Sequence, residues 1–176
     1  MLAPIGGALG CACVLGSAAA LRARVVLLPG WEPEAVVDAL RVHRPTWVVA
    51  DARAAERLVA DPRFAWADLR SVRAFLVGGP LPAGVARAFE EATGTQACVG
   101  LTSPRAAGLL TCQPVNGRRV VDALGLPLPG VDVAELPGGR LALRSPTIAG
   151  GPGGDPIVVA GALDADGYVW LGAGAP

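Results

Sequence analysis

The side chains able to do chemistry in this sequence are few. It has one histidine, His43, and four cysteines, Cys11, Cys13, Cys98 and Cys112. It has no lysine, so every basic side chain apart from His43 is an arginine. A thiol or hydroxyl is a weak nucleophile near neutral pH unless a base takes its proton or its surroundings favour the anion. Ser103, Cys98 and Cys112 are the nucleophile candidates, and only His43 is available to complete a dyad. His43 stands beside Arg44-Pro45 at the end of a predicted helix, which points to the surface. Asp51 has two readings, a general base and the cap of the helix that starts after it. The cysteines form no C-x-x-C pair and have no familiar zinc spacing with His43, so buried free thiols are expected and a metal site is not. The run Gly150-Gly151-Pro152-Gly153-Gly154 is followed by no Lys-Ser or Lys-Thr, so it reads as a solvent turn rather than a phosphate loop. No catalytic residue can be assigned on these grounds.

Composition narrows the classes of partner. Lys plus Arg and Asp plus Glu number 15 each, so the net charge is zero and neither nucleic acid nor an anionic membrane is an expected partner. The charged fraction is 17% and the apolar fraction 52%, with a mean hydropathy of +0.48. So little polar surface points to an apolar face covered by a second copy or a companion protein. The apolar stretch Ile5 to Leu21 is built largely of Gly, Ala, Ser and Cys, and nothing charged precedes Arg22. It is short for a membrane span and lacks the basic start of a signal peptide, so the expectation is a buried helix in a cytoplasmic protein.

The elements that position these groups follow a rhythm. Arg24 to Leu28 reads as a strand closed by Pro29-Gly30, and a helix then runs from Pro33 to the stop at Pro45. Thr46 to Ala50 is a second strand, followed by a helix through Ala55, Leu58 and Val59 that ends near Asp61-Pro62. Val72 to Val77 is a strand, Gly78 to Pro82 a loop, Gly84 to Thr93 a helix ended by Gly94, and Gln96 to Val99 a strand. Such alternation specifies an α/β fold, a parallel sheet with crossover helices. From Leu124 the grammar becomes that of hairpins: Val131 to Leu136 and Arg140 to Arg144 flank Pro137-Gly138-Gly139, and Tyr168 to Leu171 follows Asp164-Ala165-Asp166-Gly167. The expected division is an α/β lobe over residues 1–122 and a small antiparallel β subdomain over 123–176.

Several phrases, in order, resemble the adenylate-forming superfamily of acyl-CoA synthetases, luciferases and peptide-synthetase adenylation domains. They are Ile5-Gly6-Gly7, "ARVVLLPGWEPEAVVDALRVHRPTWV", "LRSVRAFLVGGPLPAGVARAFEEATG", "VGLTS" at Val99 to Ser103, "LGLPLPGVDV" and "DADGYVWLGAG". The resemblance implies one lobe of the N-terminal domain of such a ligase. It also implies a reaction in which a carboxylate and ATP give an acyl-adenylate and pyrophosphate. It places the loop at Gly78, Gly79, Pro80 and Leu81 beside the turn at Gly100, Leu101, Thr102 and Ser103, at the carboxyl ends of adjacent strands where such sheets bind ligands. These are the substrate-binding candidates.

The same resemblance exposes departures. Thr102 stands where the family threonine approaches phosphate, but Ser103 replaces the neighbouring acidic residue that holds magnesium, and a hydroxyl is a poor substitute for a carboxylate there. Val99 replaces the aromatic residue packed on adenine, Ala173 the aspartate that grips the ribose, and Pro4 a histidine bordering the acyl pocket. The family's lysine-bearing phosphate loop and its C-terminal domain fall outside the sequence. The expectation is a truncated, non-adenylating homologue that needs no cofactor and serves as an acyl-binding or accessory protein for an acyl or carboxylate small molecule. The alternative is an ATP-independent enzyme, such as a cyclase or hydrolase, that reuses the acyl pocket with Thr102, Ser103 and Asp51 as polar groups.

The apolar excess generates a first prediction. Light scattering on the purified chain should find a species larger than the 17.7 kDa monomer, and a soluble, well-folded monomer would count against a covered apolar face.

Overall fold

The computed structural model describes residues 7–30 and 32–172, with every side chain among them except those of Trp66 and Pro152. Strands β1 (Trp47–Asp51), β2 (Ala74–Gly78) and β3 (Ala97–Gly100) form a parallel sheet in that order. Helix α1 (Ser17–Leu21) precedes them, and α2 (Pro33–His43), α3 (Ala52–Val59) and α4 (Ala83–Thr93) alternate with them. Short strands β4 (Thr111–Cys112) and β5 (Leu126–Pro127) pair with each other. A four-stranded antiparallel sheet follows, of β6 (Asp132–Leu136), β7 (Arg140–Arg144), β8 (Ile157–Leu163) and β9 (Val169–Leu171). The sequence expectation of a parallel sheet with crossover helices, followed by antiparallel strands, is therefore met.

Local chemistry explains where the first elements start and stop. Pro33 occupies the first turn of α2, where its missing N–H costs nothing, and Arg44 ends the helix in the left-handed conformation at φ 44°. Asp51 caps α3, its Oδ1 accepting the Ala54 amide at 2.7 Å. Gly94 closes α4 at φ 69°, its amide donating to the Glu90 carbonyl.

Alternation along the strands sorts side chains to two faces. Val48 and Ala50, Phe75 and Val77, and Ala97 join Val36, Leu40, Leu58 and Phe89 in one core beneath the helices. Val49, Leu76 and Cys98 point the other way and meet Leu9, Cys13 and Val14 of the N-terminal helical segment. Both faces are covered, which is why these strands read as near-continuous apolar runs. Within the first core Phe89 stacks on Phe75 with centroids 3.6 Å apart and tilts against Phe64 at 5.7 Å. A second core joins Leu110, Leu124, Leu141, Leu143, Ile157 and Val169 beneath the antiparallel sheet.

Several expectations need correction. The N-terminal helix is a π-helix over Leu9–Gly16 that continues into α1. Leu9 and Gly10 are buried, but no residue of α1 is, and Leu21 is 76% exposed. Its run of Ala and Ser offers too little side-chain volume to fill the space beside it. Arg24 to Leu28 forms no strand, because β-branched composition makes a strand only where a regular ladder takes it up, and here a groove intervenes before β1. Trp47 lies on the edge strand β1 and is 60% exposed. Strands β4, β5 and β8 were not anticipated. Ile5 and Gly6 lie outside the described residues. Among the described residues no helix is long and apolar enough to cross a membrane.

Removing the central aromatic tests how the first core is held. Phe89→Ala should cost about 3–5 kcal/mol of unfolding free energy, measured by urea denaturation. A loss below about 1 kcal/mol would mean that the Phe75 stack contributes little.

Candidate functional site

The three parallel strands end in one row. Asp51 is in register with Gly78, and Gly78 with Gly100, so the loops after β2 and β3 leave the sheet side by side. The Gly79 amide donates to the Gly100 carbonyl at 2.8 Å and ties the two loops together. Gly78 to Leu81 and Gly100 to Ser103 are thus neighbours at the carboxyl end of the sheet, as an α/β ligand site requires.

The glycines there have different reasons to be glycine. A Cβ on Gly78 would lie 2.9 Å from Leu9 Cδ2 and 3.2 Å from Thr102 Cγ2. One on Gly100 would lie 2.3 Å from the Thr111 carbonyl oxygen, a backbone atom that cannot step aside. The backbone contact accounts for Gly100, whereas at Gly78 the tip of Leu9 can turn aside. Gly79 adopts φ +99°, which disfavours any other residue, yet nothing stands within 4 Å of its missing side chain. It is the glycine of the three beside which a ligand has room. Pro80 is exposed, while Leu81 and Leu101 are buried, Leu81 in the first core and Leu101 in the second.

Thr102 and Ser103 are half-buried. Thr102 bridges to Leu109 in antiparallel fashion. Ser103 turns inward on its own loop: its Oγ accepts the Arg105 amide at 3.3 Å and its carbonyl accepts the Ala106 amide at 3.0 Å. The loop is then stapled to the segment that precedes β8. Arg105 donates to the carbonyls of Asp155 at 2.9 Å and Pro156 at 3.3 Å, and its own carbonyl accepts the Ala149 amide.

The other candidates fall away from this centre. The Asp51 carboxylate is taken up as a helix cap. His43 is exposed at the end of α2. Cys98 and Cys112 are free thiols, and burial pushes them up to about 11 and about 12, so both are protonated at neutral pH and poor nucleophiles. Cys13 is raised by the same cause. Among the described residues no group of three or more His, Cys, Asp or Glu is placed to hold a metal. Trp170 donates its Nε1 to Asp164 at 3.1 Å and serves the hairpin. Pro4, Trp31 and Ala173 lie outside the described residues.

Sequence reasoning missed the residues that hold the site together. Thr111 is fully buried; its hydroxyl accepts the Leu101 amide at 3.1 Å and donates to the Leu124 carbonyl. Gln113 is 2% exposed, and its Nε2 donates to the carbonyls of Val120 at 2.7 Å and Ala123 at 2.8 Å. The only signal was two polar side chains in the apolar run Leu109 to Val115, which does not reveal their partners.

A family model described as AMP-binding enzyme matches residues 1–151. Among solved structures, anthranilate CoA ligase AuaEII in complex with anthranoyl-AMP is similar at a TM-score of 0.84 and 23% identity, covering 96% of this chain and 37% of that one. Apo MatB from Rhodopseudomonas palustris is similar at 0.82 and 23%, covering 97% and 38%. The amide bond synthetase McbA from Marinactinospora thermotolerans is similar at 0.72 and 25%, covering 92% and 39%. No curated protein matches. The chain spans less than two fifths of the length of these structures.

The glycine geometry makes a paired prediction. Gly100→Ala should leave little soluble folded protein, because the Thr111 backbone would have to move. Gly79→Ala should fold with a loss of about 1–2 kcal/mol, read from denaturant midpoints. Equal effects of the two changes would show that close contact is not what fixes Gly100.

Proposed function

The chain belongs to the AMP-binding enzyme family, and on that premise we propose that it is a non-adenylating homologue that binds an acyl or carboxylate small molecule. The observation that carries this reading is the turn at Thr102 and Ser103. Adenylation requires donors and a metal-held charge at the transferring phosphate, and the resemblance assigns the metal's acidic ligand to the position of Ser103. Here that position offers a neutral hydroxyl already engaged with the Arg105 amide. Magnesium takes hard anionic oxygen ligands, and none stands in this turn. The residues present in this turn therefore do not fit a magnesium–nucleotide complex.

Two further features point the same way. Val99 offers no aromatic face to a nucleobase and instead packs against both cores. The Gly79 and Leu101 amides are held by the Gly100 carbonyl and the Thr111 hydroxyl and are not free donors for a phosphate. Nothing stands within 4 Å of the missing Gly79 side chain, so the backbone there is open to approach by a ligand. The nucleotide-independent enzyme gains less support, since Asp51 is a cap and the nearby thiols are protonated.

Two measurements test the reading. ATP–pyrophosphate exchange with a panel of carboxylates should stay at background, and clear exchange by the purified chain would overturn the proposal. Thermal shift should rise with free acids or acyl-CoAs and not with ATP or AMP; a rise with the nucleotides alone would reverse the assignment.

A further inference from the structure

A second opening lies away from the loops at the sheet end. It is a cavity of about 680 Å³ lined by the helical segment at Val14 and Leu21, by α2 at Val36 and Leu40, by β1 at Val48 and Val49, and by the extended segment 23–28. No residue of 78–81 or 100–103 lines it. Its volume falls within the range of small-molecule sites, roughly 300–1,000 Å³. Its walls are mainly aliphatic, and two apolar side chains of the lining, Leu21 and Trp47, are 76% and 60% exposed.

Charge at the rim has one sign. Arg24, His43 and Arg44 are the ionisable groups along the lining apart from the Cys13 thiol, and no carboxylate is among them. Arg44 is paired with Asp68 at 3.3 Å. The Arg24 side chain makes no ion pair or hydrogen bond among the described residues. An apolar trough edged by a guanidinium that pairs with no carboxylate among the described residues is complementary to a molecule with an alkyl body and an anionic end.

We propose that this groove binds an alkyl carboxylate, its chain against α2 and β1 and its carboxylate at Arg24. The site is separate from the sheet-end loops, so it stands whether or not those loops bind an acyl group. Burial of each added methylene should tighten binding about fourfold. The exposed rim pair should contribute a smaller factor, about threefold.

Titration calorimetry on the full chain with octanoate, decanoate, dodecanoate and dodecanol tests both parts. Affinity should climb with chain length, and Arg24→Gln should weaken dodecanoate by about threefold while leaving dodecanol unchanged. Ala39→Trp, which fills the groove from α2, should abolish binding of both. Because that variant could perturb the helix, a photoreactive dodecanoate analogue provides the independent readout, with labelling expected within residues 13–49. Affinity that ignores chain length, an Arg24→Gln effect shared by dodecanol, or labelling confined to residues 78–103 would each overturn the proposal. None of these outcomes depends on ATP–pyrophosphate exchange.

Discussion

The close approach of Gly100 to the Thr111 carbonyl is the contact on which the arrangement of the site depends. It brings the end of the parallel sheet against the first residues of the second core with no side chain between them. The Thr111 hydroxyl completes the junction by joining the Leu101 amide to the Leu124 carbonyl. A buried hydroxyl that both accepts and donates offsets its own desolvation and favours one geometry. Gly79, Thr102 and Ser103 are aimed by it. Their positions therefore depend on residues ten or more places away in the chain, and on the segment before β8 that Arg105 holds.

That dependence explains which parts of the structure could be read from residues alone. Strand–helix alternation was legible because the apolar period changes from two to nearly four, and because Asp51, Pro33 and Gly94 mark helix ends by chemistry that acts within one turn. The hairpin at Asp164 was legible for a similar reason, since its carboxylate accepts the amides of Asp166 and Tyr168 nearby. Strand β8 was hidden by Gly161, which interrupts its pattern because the Trp170 carbonyl oxygen lies 2.0 Å from where a Cβ would be. Arg24 to Leu28 misled in the opposite sense: its composition suits a strand, but composition cannot supply a ladder.

The candidate site was legible as a place and not as a set of roles. The family phrases located the two loops, and the sheet register brings them together. Whether each glycine serves the fold or a ligand depended on neighbours in space: Leu9 and Thr102 for Gly78, Thr111 for Gly100, and open room for Gly79. Ser103 and Val99 show the same limit. Their types announce a loss of metal and nucleobase contacts, while their present engagement, with Arg105 and with both cores, is visible only in three dimensions.

The order of strands also bears on how the molecule is assembled. In the parallel and the four-stranded sheet each strand neighbours the one before it in the chain, so β1 to β3 pair within residues 47–100, while the free edge of β3 waits for the Gln113 amide, which donates to the Val99 carbonyl. The second core differs, because Leu124 donates to the Val169 carbonyl and Val169 donates to the Gly125 carbonyl. Until β9 is in place Leu110 and Leu124 lack part of their cover, an interval in which exposed apolar surface invites misassembly. Val169, fully buried in that core, supplies the part of the cover that comes late in the described chain.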